Sequence, residues 1–375
     1  MKKFFKWLGI VIGTIVLLVA LFFGYLTIAE YRPKDVEEAE TLEGGAYWNQ
    51  YVYIGNEMSI ITWNTGYGAL GENADFFMDG GESVMTADKD LVKENITGIA
   101  EYLKGEKSNF IFLQEVDRKS RRSYYEDEAL FYTNYLTEYD TDKVVRGQDA
   151  FGANFAYNFK VSFIPYPIPP IGKVNSGIMT LTDTIPSSSE RISLPCPFKW
   201  PTRLGNLKRC MLVTRLNVCD PEVGPIAGGR ELVLINLHLE AYDSGEGKAL
   251  QTAQFKEFIE SEIEKGNYVI AGGDFNQIFS NIDTSMYPFY EGTWNCGKID
   301  VDEFPNNVSF IMDNSVPTCR SLDKAYKDAD KDTFQYYMID GFVVSDNIEI
   351  IKCETKDLGF KYTDHNPVVM KFKLK

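Results

Sequence analysis

Polar side chains suited to catalysis recur where short apolar runs of this chain end, and this placement restricts the folds that it can adopt. They are Asn64, Glu115, His238, Asp274, Asn276, Asp340, Asp364 and His365. A strand end is rigid and the loop after it is exposed, so several such ends can converge on one cleft. Residues 90–104 and 250–263 show helical spacing, whereas no helix separates the apolar runs in the middle of the chain. The pattern predicts a mixed α/β fold whose strand ends form one site.

Both histidines of the chain belong to this set. His238 lies at the end of an apolar run, and His365 follows Asp364 just before the last apolar run. Histidine is the side chain best suited to proton transfer near neutral pH. One isolated histidine is more often structural. Here, however, both histidines of the chain lie near Asp or Asn at strand ends, which favours catalysis.

Residues 7–28 form an uncharged apolar run that follows Lys2, Lys3 and Lys6. A helix of about 20 residues crosses a bilayer, and lysines before it favour a cytoplasmic N-terminus. We therefore expect a basic cytoplasmic stub over residues 1–6 and a single-pass signal-anchor over residues 7–28, with the catalytic domain outside the cytoplasm. Signal cleavage, which would give a secreted protein, is the alternative, although signal peptides usually have a shorter apolar core.

Residues 29–55 are rich in glutamate and include Pro33 and a pair of glycines, a composition that buries little apolar surface. We expect an acidic linker there and one catalytic domain over residues 56–375. The net charge of −16, from 54 acidic and 38 basic residues, does not favour nucleic acid as a partner. The six cysteines include no Cys-x-x-Cys pair, which argues against zinc and leaves disulfide pairing open. No obligate protein partner is indicated.

Residues 272–277, Gly-Gly-Asp-Phe-Asn-Gln, follow an apolar strand and resemble a motif of the endonuclease/exonuclease/phosphatase superfamily, which includes DNase I-like nucleases and neutral sphingomyelinases. Further segments resemble other motifs of that superfamily, in the same order: 63–67, 114–116, 175–179, 337–342 and 363–365. The resemblance runs from about residue 58 to the C-terminus. It implies a four-layer αββα sandwich of two mixed β-sheets flanked by helices, here preceded by one transmembrane helix.

The same resemblance implies a metal-assisted hydrolysis of a phosphoester. Glu115, with Asn64 nearby, would hold Mg²⁺ or Mn²⁺, which prefer oxygen ligands. Asp364 would be a second metal or hydrogen-bond residue. The metal would polarise a phosphoryl oxygen and offset the charge that develops on it.

Catalytic roles follow for five residues from the same resemblance. Asp274 would orient or activate the attacking water, and Asn276 would bind the phosphate. His365, steadied by Asp340, would contact the phosphate or transfer a proton, and His238 would transfer a second proton or stabilise an oxyanion. Apurinic endonucleases lack a histidine at the strand end of His238, whereas DNase I-like and sphingomyelinase-like members have one. The segment 238–243, followed by a helix that contains Gln251 and Gln254, looks most like the bacterial sphingomyelinase pattern.

Two other segments bear on the substrate. Arg118, Arg121 and Arg122 belong to the one dense basic run, which is either a solvated loop or a phosphate contact beside the cleft. Residues 159–171 are apolar, aromatic and rich in proline, which fits either a packed loop or a surface that enters lipid.

The sequence therefore predicts a membrane-anchored, extracytoplasmic, Mg²⁺-dependent hydrolase that cleaves a phosphodiester, with a phospholipid or another small phosphodiester as the leading substrate. A DNase I-like nuclease is the alternative enzyme. A non-catalytic binding module that kept the fold is the alternative from another class of protein.

Overall fold

A computed structural model of the protein describes residues 1–43, 49–137, 151–225, 229–243 and 245–375. The α-helices in these ranges are α1 (Lys2–Ile28), α2 (Lys89–Glu106), α3 (Glu128–Thr137) and α4 (Glu246–Glu264). The strands are β1 (Val36–Glu38), β2 (Glu40–Thr41), β3 (Val52–Tyr53), β4 (Met58–Asn64), β5 (Phe110–Asp117), β6 (Gly152–Ile164), β7 (Gly172–Thr182), β8 (Pro186–Ser193), β9 (Cys210–Asp220), β10 (Gly224–Pro225), β11 (Glu231–His238), β12 (Tyr268–Asp274), β13 (Ile278–Phe279), β14 (Lys298–Ile299), β15 (Val308–Ile311), β16 (Cys319–Arg320), β17 (Tyr336–Tyr337), β18 (Asp340–Ser345), β19 (Ile348–Thr355) and β20 (Val368–Leu374).

Two large mixed sheets make up most of the domain. Sheet I has the strand order β1–β8–β9–β11–β12–β18–β15, with β3 and β10 added beside β9. Sheet II has the order β19–β20–β4–β5–β7–β6–β2. The pairs at the centre, β11 with β12 and β4 with β5, are parallel, and antiparallel strands flank them. The carboxyl ends of the two central strands in each sheet therefore lie at one edge of that sheet.

The two sheets face each other across a layer of buried apolar side chains. Ile60 and Phe112 of sheet II and Leu234, Ile270 and Phe342 of sheet I belong to this layer. Helix α4 covers the outer face of sheet I, and α2 and α3 cover the outer face of sheet II. Burying one such side chain contributes about 1.5–3 kcal/mol. The four-layer αββα sandwich predicted from the sequence is confirmed.

Alternation along the strands decides which polar side chains enter the space between the sheets. In β12, Ala271 packs toward α4, whereas Ile270 packs between the sheets. Side chains two residues apart share a face of a strand, so Asp274 also lies between the sheets. The same alternation brings Asn64 of β4 and His238 of β11 to the inner layer.

The two predicted helices start and end where local capping groups allow. The helix expected over residues 90–104 is α2, whose first turn is capped by the Asp88 carboxylate, which accepts the Leu91 N–H at 2.8 Å. It ends at Lys107, which adopts a left-handed backbone conformation. The helix expected over residues 250–263 is α4, which begins four residues earlier.

The segment over residues 29–55, expected as a linker, carries three strands of the fold. β1 and β3 pair with β8 and β9 of sheet I, and β2 pairs with β6 of sheet II. Ala39, Leu42 and Val52 are buried, whereas Glu38 and Glu40 are exposed. Edge strands often carry charges on their outer side, so their composition resembles that of a linker.

Helix α1 is long and apolar enough to cross a membrane, a property that it shares with signal sequences. It includes the predicted anchor over residues 7–28. Within α1 only Leu26 is buried, and the contacts with the domain come from its last two turns.

Candidate active site

Strand register brings the predicted catalytic residues to one edge of the sandwich. In sheet I, His238 pairs with Asp274, and Asp274 pairs in turn with Asp340. In sheet II, Asn64 lies beside the end of β5, which carries Glu115. The Asn64 Nδ2 donates to Asp274 Oδ2 at 3.0 Å, so the matching edges of the two sheets meet at this point.

The glycine pair before Asp274 allows close packing of neighbouring strands. A Cβ on Gly272 would collide with the Phe342 ring, and a Cβ on Gly273 would collide with the carbonyl oxygen of Leu237. Gly273 also has a φ of 145°, which disfavours any other residue. Both glycines lie inside β12 and make room for the neighbouring strands β11 and β18.

Asp274 is the centre of the cluster. Its Oδ1 accepts the backbone N–H of Asn276 at 2.8 Å, and its Oδ2 lies 3.5 Å from His238 Nε2 and 3.8 Å from His365 Nε2. Burial, together with the nearby Asp340 carboxylate, raises the pKa of Asp274 to about 7. A carboxyl group with a pKa near neutrality suits general-base chemistry. The Asn276 Nδ2 donates to the Leu239 carbonyl at 2.8 Å, so this amide also anchors the loop after β12.

His365 and Asp340 form a buried pair, with 2.8 Å between His365 Nδ1 and Asp340 Oδ2. Burial alone would lower the pKa of His365, but the Asp340, Cys319 and Asp364 side chains outweigh it and hold that pKa well above its ordinary value. The imidazolium form therefore carries a proton on Nδ1 for Asp340 and a second on Nε2, which faces Asp274. The Trp63 Nε1 donates to the His365 carbonyl at 2.9 Å and fixes the backbone of this residue.

His238 has the opposite protonation preference. Burial, followed by the positive charges of Arg209, His365 and Arg122, lowers its pKa well below the ordinary value. It is therefore neutral near pH 7. The Arg209 Nη1 donates to the His238 carbonyl at 3.0 Å and holds this strand end. The Nδ1 of His238 is buried, with no hydrogen-bond partner among the described residues.

Glu115 reaches the site through an irregularity in its strand. The pairing of β5 with β7 shifts between Leu113 and Val116, and Glu115 has a φ of 56°. A bulge of this kind redirects a side chain. The Glu115 Oε1 accepts from Asn64 Nδ2 at 3.4 Å, and burial raises the pKa of its carboxyl group.

The acidic residues predicted to hold a metal have the environment that a divalent cation would complete. Burial raises the pKa of Asp364 as it does that of Glu115. Among the described residues, no nitrogen of Lys, Arg or His lies within 4.0 Å of either carboxylate. Asp274, Asp340 and His365 form an adjoining cluster whose ligand atoms lie within 4.8 Å of one another. Buried carboxylate oxygens are donors that fit Mg²⁺. The Asn64 Oδ1 accepts the Gly66 N–H at 3.0 Å and its Nδ2 faces the carboxylates of Asp274 and Glu115. A role of Asn64 in holding the metal stays a prediction.

The three arginines of the basic run have different surroundings. Arg122 pairs with Asp117 through two hydrogen bonds, at 2.9 and 3.0 Å, and stacks on the Tyr67 ring at the border of the cluster. The Arg118 guanidinium pairs with Glu40 and Asp127. The Arg121 guanidinium donates to a carbonyl in the β6–β7 loop. A role of these arginines in substrate binding stays a prediction, and Arg122 is the one beside the cluster.

Three polar residues at the site were not singled out from the sequence. Asp79, in a loop over the cluster, accepts from the Tyr242 hydroxyl at 2.9 Å, and burial raises its pKa to about 7. The Thr318 hydroxyl accepts the backbone N–H of Asp340 at 3.1 Å. Neither residue ends an apolar run, so the pattern that found the other residues gave no signal for them. Tyr242 lies only four residues after His238, which is the one signal available for this contact.

No protein-family model matches the sequence, and no curated protein matches it. Solved structures do match. The endonuclease/exonuclease/phosphatase family protein from Leptotrichia buccalis is 13% identical, with a TM-score of 0.53 over 84% of this chain and 100% of that chain. The endonuclease/exonuclease/phosphatase from Beutenbergia cavernae is 16% identical, with a TM-score of 0.50 over 85% of this chain and 72% of that chain. These similarities, together with the converging strand ends, show that this chain has the endonuclease/exonuclease/phosphatase fold.

Proposed function

We propose that this protein is a membrane-anchored, metal-dependent phosphodiesterase that acts outside the cytoplasm. The observation that carries the proposal is the arrangement of two histidines around one carboxylate. The Nε2 atoms of His238 and His365 both face Asp274 Oδ2, and Asp340 binds the far nitrogen of His365. The sphingomyelinase-like branch of the superfamily is part of the proposal, on the sequence pattern of residues 238–243.

The opposite protonation preferences of the histidines suit a phosphoryl transfer. Asp274 orients the attacking water and accepts its proton, because its pKa lies near neutrality. Protonated His365 donates its Nε2–H to a phosphoryl oxygen, where negative charge grows during attack. Neutral His238 presents its own Nε2 to the oxygens of the phosphoryl group. Asn64 holds Asp274 in place from the opposite sheet.

Glu115 and Asp364 would hold the metal, for which we propose Mg²⁺ or Mn²⁺. The bound ion would act as a Lewis acid on the phosphoryl group and neutralise developing charge. The carboxylate of Glu115 comes from the bulge in β5 and that of Asp364 from the loop before β20. Glu115 shares the Asn64 amide with Asp274, and Asp364 lies in the cluster of Cys319 and His365; among the described residues neither carboxylate has a Lys, Arg or His nitrogen within 4.0 Å.

A phospholipid or another small phosphodiester is the proposed substrate. Helix α1 would hold the domain near lipid, and the net charge of −16 would repel a polyanion at long range. A nuclease remains the competing activity for the same site, since the chemistry at phosphorus is the same.

The test compares substrates for one preparation of the full chain in mild detergent. Bis(4-nitrophenyl) phosphate, sphingomyelin, a lysophospholipid and plasmid DNA are assayed with Mg²⁺ and again with EDTA. We expect hydrolysis of the small diester and of a lipid, lost with EDTA and reduced at least about 100-fold in Asp274→Asn. Faster cleavage of DNA would replace the lipid substrate with nucleic acid. Full activity of Asp274→Asn would refute the mechanism.

The metal assignment is tested with Glu115→Gln, which keeps the shape of the side chain and removes its charge. We expect the Mg²⁺ concentration for half-maximal activity to rise by at least about tenfold. Glu126→Gln is the matched control, because that glutamate lies on the nearby surface and contacts two lysines. An unchanged Mg²⁺ dependence in Glu115→Gln would show that the ion binds elsewhere.

A further inference from the structure

The loops beyond the active-site edge of the sandwich contain an acid-free and partly apolar surface. We call two of them the rim: residues 165–171, which connect β6 to β7, and residues 194–209, which connect β8 to β9. The surrounding segments 151–182 and 191–219 contain no Asp or Glu, in a chain that has 54 acidic residues. The rim itself therefore contributes no acidic side chain.

Strand register places the rim at the same edge as the catalytic residues. The start of β7 pairs with the end of β5, where Ser176 lies opposite Asp117, so the β6–β7 loop lies beyond the strand end that carries Glu115. Gly172 is four residues further out, about 13 Å along the strand. In sheet I, Met211 at the start of β9 lies opposite Leu237, so the β8–β9 loop lies beyond the strand end that carries His238.

Large apolar side chains on the rim are exposed. Ile168 is 91% exposed, Tyr166 is 73% exposed and Trp200 is 54% exposed. Lys173 and Lys199, beside them, are also exposed. A surface that combines apolar tips, aromatic rings and lysines without acids suits the interface of a bilayer with anionic lipids.

Helix α1 ends on this same rim. The Phe22 ring lies 6.4 Å from the Phe163 ring, and the Phe23 ring lies 6.0 Å from the Trp200 ring. The Trp200 Nε1 donates to the Thr27 hydroxyl at 3.1 Å.

A buried carboxylate fixes the chain directly after α1. Glu30 lies 3.2 Å from Arg203 and 3.4 Å from Lys208, both in the β8–β9 loop. These contacts hold the domain against the end of the helix. A helix that leaves the bilayer at residue 28 would therefore bring the rim, and no other edge of the sandwich, to the lipid surface.

We infer that the rim lies on the bilayer that α1 enters, so that the catalytic cleft opens onto the lipid surface and takes its phosphodiester from a membrane lipid. This rests on the proposed anchored hydrolase and specifies its substrate class. A lipid headgroup then reaches Asp274 and the histidines from the membrane side. A polymer in solution has to pass the membrane-bound rim before it reaches the same residues. The rim contributes to lipid hydrolysis by binding, and it leaves the hydrolysis of a small soluble diester unchanged.

Placement is tested without any catalytic readout. The full chain is reconstituted in phosphatidylcholine vesicles that contain brominated phosphatidylcholine, which quenches tryptophan fluorescence within the bilayer. Ile168→Trp is compared with Val223→Trp, because Val223 is 82% exposed but lies beyond the other end of β9. We expect the added emission of Ile168→Trp to be quenched and that of Val223→Trp to persist. Equal quenching of the two, or quenching of neither, would overturn the inference.

The effect on substrate is tested with Tyr166→Ser combined with Ile168→Ser, and with Val223→Ser as the control. Vesicles of phosphatidylcholine, phosphatidylglycerol and sphingomyelin supply the lipid, and bis(4-nitrophenyl) phosphate supplies the soluble diester. We expect lipid hydrolysis to fall by about tenfold in the double variant and hydrolysis of the soluble diester to stay within twofold of the unaltered protein. Equal losses on both substrates would overturn the inference. If the unaltered protein cleaves neither substrate, the proposed function fails, and the quenching result still decides where the rim lies.

Discussion

Two histidines a few ångströms from the same carboxylate have opposite protonation preferences because their neighbours differ. His365 has the Asp340 carboxylate 2.8 Å from its Nδ1. Among the residues that the structure describes, none bonds the Nδ1 of His238, and Arg209 lies near this histidine. Environments that move two pKa values apart are how one site obtains an acid and a base at the same pH. We therefore propose that Asp340 is a positioning residue that acts through His365.

Asp340→Asn should lower the pKa of His365. The amide keeps a hydrogen bond to Nδ1 but loses the negative charge that offsets burial. We expect kcat/KM to fall by at least about 100-fold. We also expect the alkaline limb of the pH–rate profile to move to lower pH, because the imidazolium then loses its proton earlier. Profiles from pH 5 to pH 10 with the soluble diester measure both effects.

Asp302→Asn serves as the control for that substitution, since Asp302 is an exposed aspartate far along the chain from the motif residues. Its profile should match that of the unaltered protein. If Asp340→Asn loses activity while the alkaline limb stays in place, the carboxylate only supports the fold, and the proton on His365 has another origin.

The sequence identified most residues of the cluster because they occur in motifs whose order is preserved along the chain. His365, Asp340, Asp274, Glu115 and Asn64 lie together as predicted, although their roles stay predictions. Contacts made by backbone groups or by loops could not be predicted in this way. The hydroxyl of Thr318 bonds Asp340, 22 positions away in the sequence, and the guanidinium of Arg209 bonds His238, 29 positions away. No periodic pattern marks such pairs.

At the scale of elements, apolar runs predicted the central strands well, since these strands are buried on both faces. Short edge strands were missed because only one side of each contacts the core. β1 has three residues and β2 has two. The alternation of apolar and polar residues along them is therefore too short to recognise. Glu38 and Glu40, which suggested a linker, lie on the exposed side of these strands.

Glu262 connects α4 to sheet I. Its replacement should show how much this connection contributes to the free energy of unfolding. Its carboxylate, 1% exposed, receives two hydrogen bonds from Arg215 at 2.7 and 2.8 Å. Burial alone would raise its pKa, but Arg215, Lys265 and Asn267 outweigh it and lower that pKa from 4.5 to about 2. Glu262→Gln should therefore reduce the free energy of unfolding at pH 7 by about 2–3 kcal/mol.

The pH dependence of this loss has a definite sign. A carboxyl group whose folded pKa is depressed stabilises the fold above its unfolded pKa, here 4.5, and loses that contribution as the pH falls toward 2. The difference between Glu262→Gln and the unaltered protein should shrink across that window, as measured by urea unfolding in detergent. Glu260→Gln, in the same helix, removes an exposed pair with Lys256 at 3.9 Å and should change stability by less than about 0.5 kcal/mol. Equal losses in the two variants would contradict the argument.

At the scale of the whole molecule, the segments without acidic residues lie at the edge of the sandwich that carries the active-site cluster. The chain has a net charge of −16, yet the rim has exposed lysines and no acids. On the proposed placement, repulsion between the acidic surface and anionic lipid would favour the rim as the face that approaches a membrane. The sequence shows both acid-free segments, but only strand register shows that the two loops lie at the same edge, and only side-chain contacts show that α1 ends against them.

The N-terminal segment provides the last prediction, because it is part of the sandwich. Ala39, Leu42 and Val52 are buried, and the three strands beside them cover backbone groups of β6, β8 and β9. A chain that begins at residue 56 loses these contacts, whereas one that begins at residue 31 keeps them. Burial of an aliphatic side chain contributes about 1.5–3 kcal/mol, so the shorter chain should melt more than about 5 °C below the longer one. Calorimetry of both chains in the same buffer measures the difference. Equal melting temperatures would mean that residues 31–55 contribute nothing to stability and act only as the linker that their composition suggests.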